Sequence, residues 1–221
     1  MSGKEGIALE RAAAFEFLAG IFLKEPSVSI MNEVKIWAKE GKEPEMLPLL
    51  ENIDREDPDL TGLTQEYYDL FFVPVSGRFV PPFESAIRGA VRQDGGATKF
   101  GPYWGDTTVK LAALYERTQF HPERLAVFEP LRQLNLPDHV GLELSFMAYL
   151  CRLEAQQLER GLSAKLIRKI QTDFLQEHLR GWVGLWVNDL EKVPQSGYYL
   201  YFARQARDLC QEETQVLLKH A

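Results

Sequence analysis

Residues 163–190 read SAKLIRKIQTDFLQEHLRGWVGLWVNDL, and their spacing decides the fold class. Phe174, His178, Trp182 and Trp186 recur every four residues, which stacks them as one stripe on an α-helix. Ser163 supplies the cap that starts this helix. Beyond Pro194 and Gly197, Phe202, Leu209 and Val216 stand at seven-residue spacing and predict a final helix. The same helical reading extends toward the N-terminus. Pro137-Asp138 opens a helix that runs to about Arg160, and Pro122, at a first helical position, starts one through Phe128 to Leu134. Thr64 caps a short helix through Phe72. Ile7–Lys24 holds several alanines with Phe15, Leu18 and Phe22 at helical spacing; Pro26 stops it, and Ser29 caps a second helix, Ile30–Lys39. Val73–Val80 is too rich in Pro and Gly for a core strand, and no repeat of about 20–50 residues is visible. The prediction is all-α: one compact multi-helix bundle over residues 1–221, with a long Gly/Pro-rich loop, Val73–Asp106, in its middle.

Composition bounds the function. Apolar residues make 45% and charged residues 26% of the 221, values of a globular chain, not a disordered or collagenous one. Twenty-five basic against 32 acidic residues give a net charge of −7 without a basic block, which argues against nucleic-acid binding through phosphates. Eight acidic and two basic residues fall between 40 and 59, so nearly all of the net charge sits there. That segment reads either as a solvated face or as a surface that attracts a basic peptide. Cys151 and Cys210 stand 59 residues apart with no C-x-x-C and no Cys/His cluster, so no zinc, iron–sulfur cluster or other metal or cofactor is expected. They read as buried, inert thiols of a reducing cytoplasm. The apolar run Ala12–Leu23 is interrupted by Glu16 and is too short and charged to span a membrane; the N-terminal residues Met1–Gly6 hold no twin arginine. A phosphate-binding loop, a nucleophile elbow and a paired-histidine zinc motif are all missing. Asp138 and His139 are neighbours on a helix, about 100° apart around its axis, so they cannot orient one another as a catalytic dyad.

Several phrases then occur in a set order: Glu66-Tyr67-Tyr68-Asp69-Leu70-Phe71, Pro81-Pro82-Phe83-Glu84-Ser85, Leu136-Pro137-Asp138-His139-Val140-Gly141-Leu142-Glu143-Leu144-Ser145-Phe146-Met147, and Phe174-Leu175-x-x-His178-Leu179-x-x-Trp182. Together with Phe22-Leu23-Lys24-Glu25-Pro26, this order resembles the TorD/DmsD family of chaperones for molybdopterin oxidoreductases, with nitrate reductase assembly chaperones as relatives. The resemblance covers about Leu63 to Trp186 and implies an all-helical, metal-free, cytoplasmic protein that is not an enzyme. Its implied partners are the catalytic subunit of a molybdopterin oxidoreductase and that subunit's twin-arginine leader, with export or cofactor-insertion machinery beside them. It implies no nucleic acid and no membrane insertion. Some members are associated with guanine nucleotide, but no nucleotide motif stands here. The stretch after Glu84-Ser85, with Arg88-Gly89, departs from the shortest members.

Physical chemistry places candidate client-binding residues in the same phrases. Asp138 can accept the free amides of its own helix's first turn. His139, Glu143 and Met147 follow at i, i+4 and i+8 and share a stripe. Such a stripe suits a peptide groove, Met adapting to apolar side chains and Glu143 pairing an arginine. It equally suits a helix cap and a local pair. Tyr67, Phe71 and Phe83 are either core or the groove's apolar wall. Glu84, beside Ser85, is either a loop carboxylate bonded to backbone amides or a contact for leader arginines. The Phe174–Trp186 stripe reads as helix-packing core. Two other readings stay open: a nucleotide-dependent enzyme or switch working through Asp138, His139 and Glu143, and a purely structural helical scaffold.

Overall fold

The computed structural model describes residues 3–41, 60–93 and 98–219; the acidic segment at 42–59 and Gly95-Gly96 lie outside the described residues. The α-helices are α1 (Lys4–Leu23), α2 (Val28–Gly41), α3 (Thr61–Phe71), α4 (Glu84–Arg88), α5 (Asp106–Thr118), α6 (Glu129–Leu134), α7 (Val140–Glu159), α8 (Lys165–Glu177), α9 (Leu179–Leu190) and α10 (Tyr198–Lys219). Among the described residues, β-pairing is confined to two isolated bridges, Phe83 with His139 and Val91 with Lys99. The all-α reading therefore holds. No helix among the described residues is long and apolar enough to cross a membrane.

Helices α1 and α7 form the most extensive pair in the fold. Alanines on α1 bring the two backbones close: Ala12 and Ala19 are buried beside Phe15, Leu18 and Phe22. Gly141 completes the approach, since a Cβ there would stand 2.5 Å from the Leu23 side chain and 3.2 Å from the Ala19 carbonyl oxygen. Tertiary donors satisfy the last carbonyls of α1, with the Tyr67 hydroxyl donating to the Phe22 oxygen at 3.0 Å and the Phe128 amide to the Leu23 oxygen at 2.8 Å. That second bond takes Phe128 out of any helix. Pro122 accordingly opens only a 3-10 turn, Pro122–Arg124, and α6 begins separately.

Other boundaries shift for equally local reasons. Ser27, not Ser29, caps α2, its hydroxyl accepting from the Ile30 amide at 3.3 Å. The four-residue stripe Phe174, His178, Trp182, Trp186 is buried, but it runs over two helices, because the chain turns at His178 (φ −113°, ψ −96°). In α10 the buried stripe is Phe202, Ala206, Cys210, Glu213 and Leu217, while Val216 is 45% exposed. A seven-residue repeat drifts by about 20° per heptad on a straight helix, so the spacing that began at Phe202 rotates out of the core. Val73–Asp106 is not one long loop. It holds a 3-10 turn at Pro74–Ser76 and the helix α4. It is tied down by Arg92 on Asp189, by Arg78 on Asp69 and by the Gly101 amide on the Ala86 oxygen at 2.9 Å. Helix α5, which no periodicity announces, follows at once.

A charged bracket crosses the bundle. Arg11 on α1 donates to Glu154 of α7 (2.7 Å), to Gln171 of α8 (2.9 Å) and to Glu213 of α10 (2.6 Å). Arg168 closes on the other Glu154 oxygen at 2.6 Å. Burial alone would depress the arginine, but its acidic partners outweigh burial and raise it, so it stays charged. Removing one member of a buried pair strands the other charge at a cost of about 3–5 kcal/mol. Arg11→Ala should therefore lower the melting temperature by roughly 6–20 °C for a chain of this size, read by circular dichroism. A shift within about 2 °C would show that the bracket is dispensable.

Candidate functional site

The site is the place where the P-P-F-E-S and L-P-D-H phrases meet. The Glu84 amide donates to the Asp138 oxygen and the Val140 amide to the Pro82 oxygen, both at 2.9 Å, which pins the two phrases antiparallel. Phe83 and His139 pack ring edge to ring face, 5.2 Å apart. One Asp138 carboxylate oxygen then accepts from the Ser85 amide at 2.9 Å and from the Ser85 hydroxyl at 2.5 Å. Asp138 thus caps α4 from across the chain, not the helix that follows it in sequence. His139 caps that helix: its Nδ1 accepts from the Gly141 amide at 3.1 Å. The proton of the neutral ring is therefore on Nε2.

The remaining groups close around this junction. Glu84 accepts from Arg88 Nε at 2.6 Å on one oxygen and meets His178 Nδ1 at 2.8 Å on the other. Arg88 also donates to the last carbonyls of α8, Glu177 at 2.7 Å and His178 at 3.2 Å. A cation at a helix C-terminus is favourable, and Gly181 makes room for it: a Cβ there would stand 2.4 Å from the guanidinium. Glu143 accepts from the Trp182 indole at 3.1 Å, and Tyr115 donates to the Pro137 oxygen at 3.1 Å.

Asp138, His139, Glu143, Met147 and Tyr67 are all completely buried, and Phe71, Phe83 and Glu84 nearly so. The side chains His139, Glu143 and Met147, expected along a peptide groove, are buried in this structure. His139 and Glu143 do not pair, and Tyr67 and Phe71 belong to the aromatic core around Trp186, Tyr199 and Phe128. Six of the candidates, Phe83, Glu84, Ser85, Asp138, His139 and Glu143, share the junction. Sequence reasoning missed Arg88 and Tyr115 and read His178 and Trp182 as helix-packing core, with the indole of Trp182 or Trp186 at a polar rim as the alternative. The available signal for Arg88 was weak, a glycine, Gly181, in a helix that also holds Gly184. Glu66, the first residue of E-Y-x-x-L-F, is likewise a remote cap: it accepts from the Ser196 amide and hydroxyl, both at 2.5 Å, just before α10.

Burial sets the protonation of the site. Glu143 is held well above the usual carboxylate range, first by burial and then by the charge of Glu84. Asp138 is raised for the same first reason, against the pull of its Ser85 bonds. His139 is pushed down to about 3 by burial, and Cys151 up to about 12, so that ring and that thiol are neutral and unreactive at pH 7. One carboxylate oxygen each of Asp138 and Glu143, and His139 Nε2, have no hydrogen-bond partner among the described residues. No group of three or more His, Cys, Asp and Glu among the described residues is arranged to hold a metal ion.

The far side of the L-P-D-H phrase faces an open cleft of about 400 Å³. Leu136, Pro137 and Leu142 of the phrase line it together with Tyr115, Phe120 and Trp104; its charged or titratable lining is Glu116, Glu123, His121 and Arg132, with Glu123 held by His121 at 3.0 Å. Trp104 is 60% exposed. The junction therefore fixes one wall of an accessible apolar surface.

Comparison with known proteins places these phrases in context. The family model described as nitrate reductase delta subunit matches residues 40–188, which contain the whole junction. Chaperone protein TorD of Vibrio cholerae serotype O1 is 30% identical over 87 residues, 39% of this chain and 39% of that one. The selenate reductase assembly chaperone protein of Thauera selenatis is 37% identical over 65 residues, 29% of this chain and 33% of its own. The chain thus matches well under half the length of these curated relatives. No solved structure matches.

The junction makes stability depend on pH in two limbs. Glu143 has a raised pKa in the folded state, so its contribution is full below the unfolded value of 4.5 and is lost as pH rises toward the folded one. His139 is depressed, so its contribution is full above 6.5 and is lost as pH falls toward about 3. Glu143→Gln should flatten the fall in melting temperature that sets in as pH rises above 4.5. His139→Gln should flatten the slope just below pH 6.5, before the ordinary carboxylates titrate. Unchanged slopes in both variants would mean that neither group is shut away from solvent.

Proposed function

The chain belongs to the nitrate reductase delta subunit family, in line with the TorD/DmsD resemblance of its motifs, and from that premise we propose that it is a cytoplasmic chaperone for a molybdopterin oxidoreductase. It binds the twin-arginine leader or the apo form of the catalytic subunit, and it holds that subunit while the cofactor is inserted, before export or assembly. The observation that carries this reading is the family match over the span that holds the junction, beside relatives whose names are those of chaperones. The complete burial of Asp138, His139 and Glu143 supports a binding protein over a nucleotide-dependent enzyme or switch that works through them. In this reading they position the cleft wall formed by Leu136, Pro137 and Leu142, and the client touches the cleft, not the motif acids. The leader's apolar part seats against Trp104 and Phe120, and its arginines meet Glu116 and Glu123 of the lining.

Titration of the full chain with a synthetic leader from an oxidoreductase of this class tests the reading. Near-micromolar affinity, about −8 kcal/mol, is expected. It should weaken several-fold as ionic strength rises from about 0.01 M to about 0.15 M, because attraction to these acids is screened as the Debye length falls from about 30 Å to about 8 Å. Trp104→Ala should weaken binding at least about tenfold with the melting temperature unmoved, since the indole is mostly exposed. A leader with both arginines replaced by alanine that binds as well as the original would overturn the proposal.

A further inference from the structure

Helices α1, α2 and α10 leave a second open surface, a groove of about 560 Å³ on a different part of the bundle. Its floor is apolar: Ala13, Ala14, Phe17 and Leu18 from α1, Ile36 and Trp37 from α2, and Leu209 from α10. Ile36 is 58% exposed, and Ala13 and Ala14 are open to solvent. The aromatic part is rigid. Phe17 stacks on Trp37 at 5.5 Å, and both rest on Phe202, at 5.8 Å and 5.7 Å. The polar lining is Gln205 with three acids, Glu33, Asp208 and Glu212, and no basic side chain among the described residues lines the groove. Arg207, just outside, holds one Asp208 oxygen at 2.8 Å. Every lining residue falls outside the 40–188 span of the family match.

We infer that this groove is a docking site for a basic amphipathic helix of a partner protein. The fit rests on charge complementarity. A helix that buries an apolar stripe presents its flanking side chains to the groove's edges, and here those edges are acidic on α2 and α10. Lys or Arg on the flanks would meet Glu33 on one side and Glu212 on the other. A second copy of this chain fits poorly, because two such grooves face to face bring acid against acid. The small residues Ala13 and Ala14 let a helix backbone approach α1, while the prearranged Phe17–Trp37 stack supplies an aromatic anchor at little ordering cost. The site is separate from the cleft beside Trp104 and stands or falls independently of the chaperone reading.

The probe is a Leu/Lys amphipathic peptide of about 18 residues, five helical turns, titrated calorimetrically into the full chain, with a Leu/Glu peptide of the same pattern as control. Binding of the Lys peptide, with the Glu peptide at least about tenfold weaker, is expected. Ala14→Arg sets a like charge and a long side chain in the groove on an exposed helical position that tolerates Arg. It should weaken the Lys peptide at least about tenfold with an unchanged melting curve. The combined Glu33→Gln, Asp208→Asn, Glu212→Gln variant should weaken it similarly and remove most of its salt dependence. The leader titration repeated on Ala14→Arg should be unaffected. Equal affinity of wild type and Ala14→Arg for the Lys peptide would overturn the inference, and so would loss of leader binding in Ala14→Arg, which would make the groove the leader's own seat.

Discussion

Asp138 reaches across the chain to the first turn of α4, and most of the motif architecture depends on bonds of that kind. A helix of five residues is far below the length that holds itself together in water. Helix α4 survives because its first amides find Asp138 and because Arg88, at its end, is clamped by Glu84 and by the α8 carbonyls. Glu66 does for α10 what Asp138 does for α4. Asp138, Glu66 and Glu143 spend their hydrogen bonds on groups far away in sequence, and Glu84 adds His178 to its local partner Arg88, so each phrase fixes the position of another element. Loss of one such acid leaves a buried amide without an acceptor, at about 1–3 kcal/mol, and also frees an element end.

The acids are tolerated inside because few of them need to be charged together. Glu143 has no cation bonded to it and sits near both Glu84 and Asp138. Raising its pKa lets it stay protonated, which removes most of the cost of burying it. Glu84 is the member that keeps a guanidinium and an imidazole within bonding distance. Of the neighbouring acids, Glu143 is thus the one that burial and the charge of Glu84 hold well above the usual carboxylate range, while Glu84 has a guanidinium and an imidazole beside it.

Helix content was legible because the core-facing residues of α1, α7, α9 and α10 recur at helical spacing, and tertiary packing acts on that same spacing. The details that depend on contacts between distant segments were not legible. Nothing in the sequence of Phe174–Trp186 states that Arg88 and Glu84 will draw the chain out of helix at His178. Nothing around Phe128 states that its amide will be claimed by Leu23. Helix α5 begins with Thr107, Thr108 and Val109, β-branched residues of low helix propensity, and follows a run of Gly and Pro, so its local signal is weak. The junction residues were found by their chemistry and order. Their burial could not be read, because a His, a carboxylate and a Met at i, i+4 and i+8 line an open groove and a closed core equally well.

That ambiguity has a consequence for how the motif should be probed. If His139 and Asp138 touched the client, their loss would change affinity and leave the fold alone. In the structure both are caps inside the core, one serving α7 and the other α4. Cap removal costs about 0.5–2 kcal/mol, and burial adds the stranded partner, so a loss of client maturation in either variant would first report a displaced cleft wall. Leu136, Pro137 and Leu142 connect the two effects, since they belong to the capped phrase and also line the cleft. On the proposed reading, a stability loss at Asp138 and a binding loss at Trp104 are two ends of one mechanical chain, with the phrase between them. Substitutions at the acid should move melting temperature and affinity together, whereas those at the indole should move affinity alone.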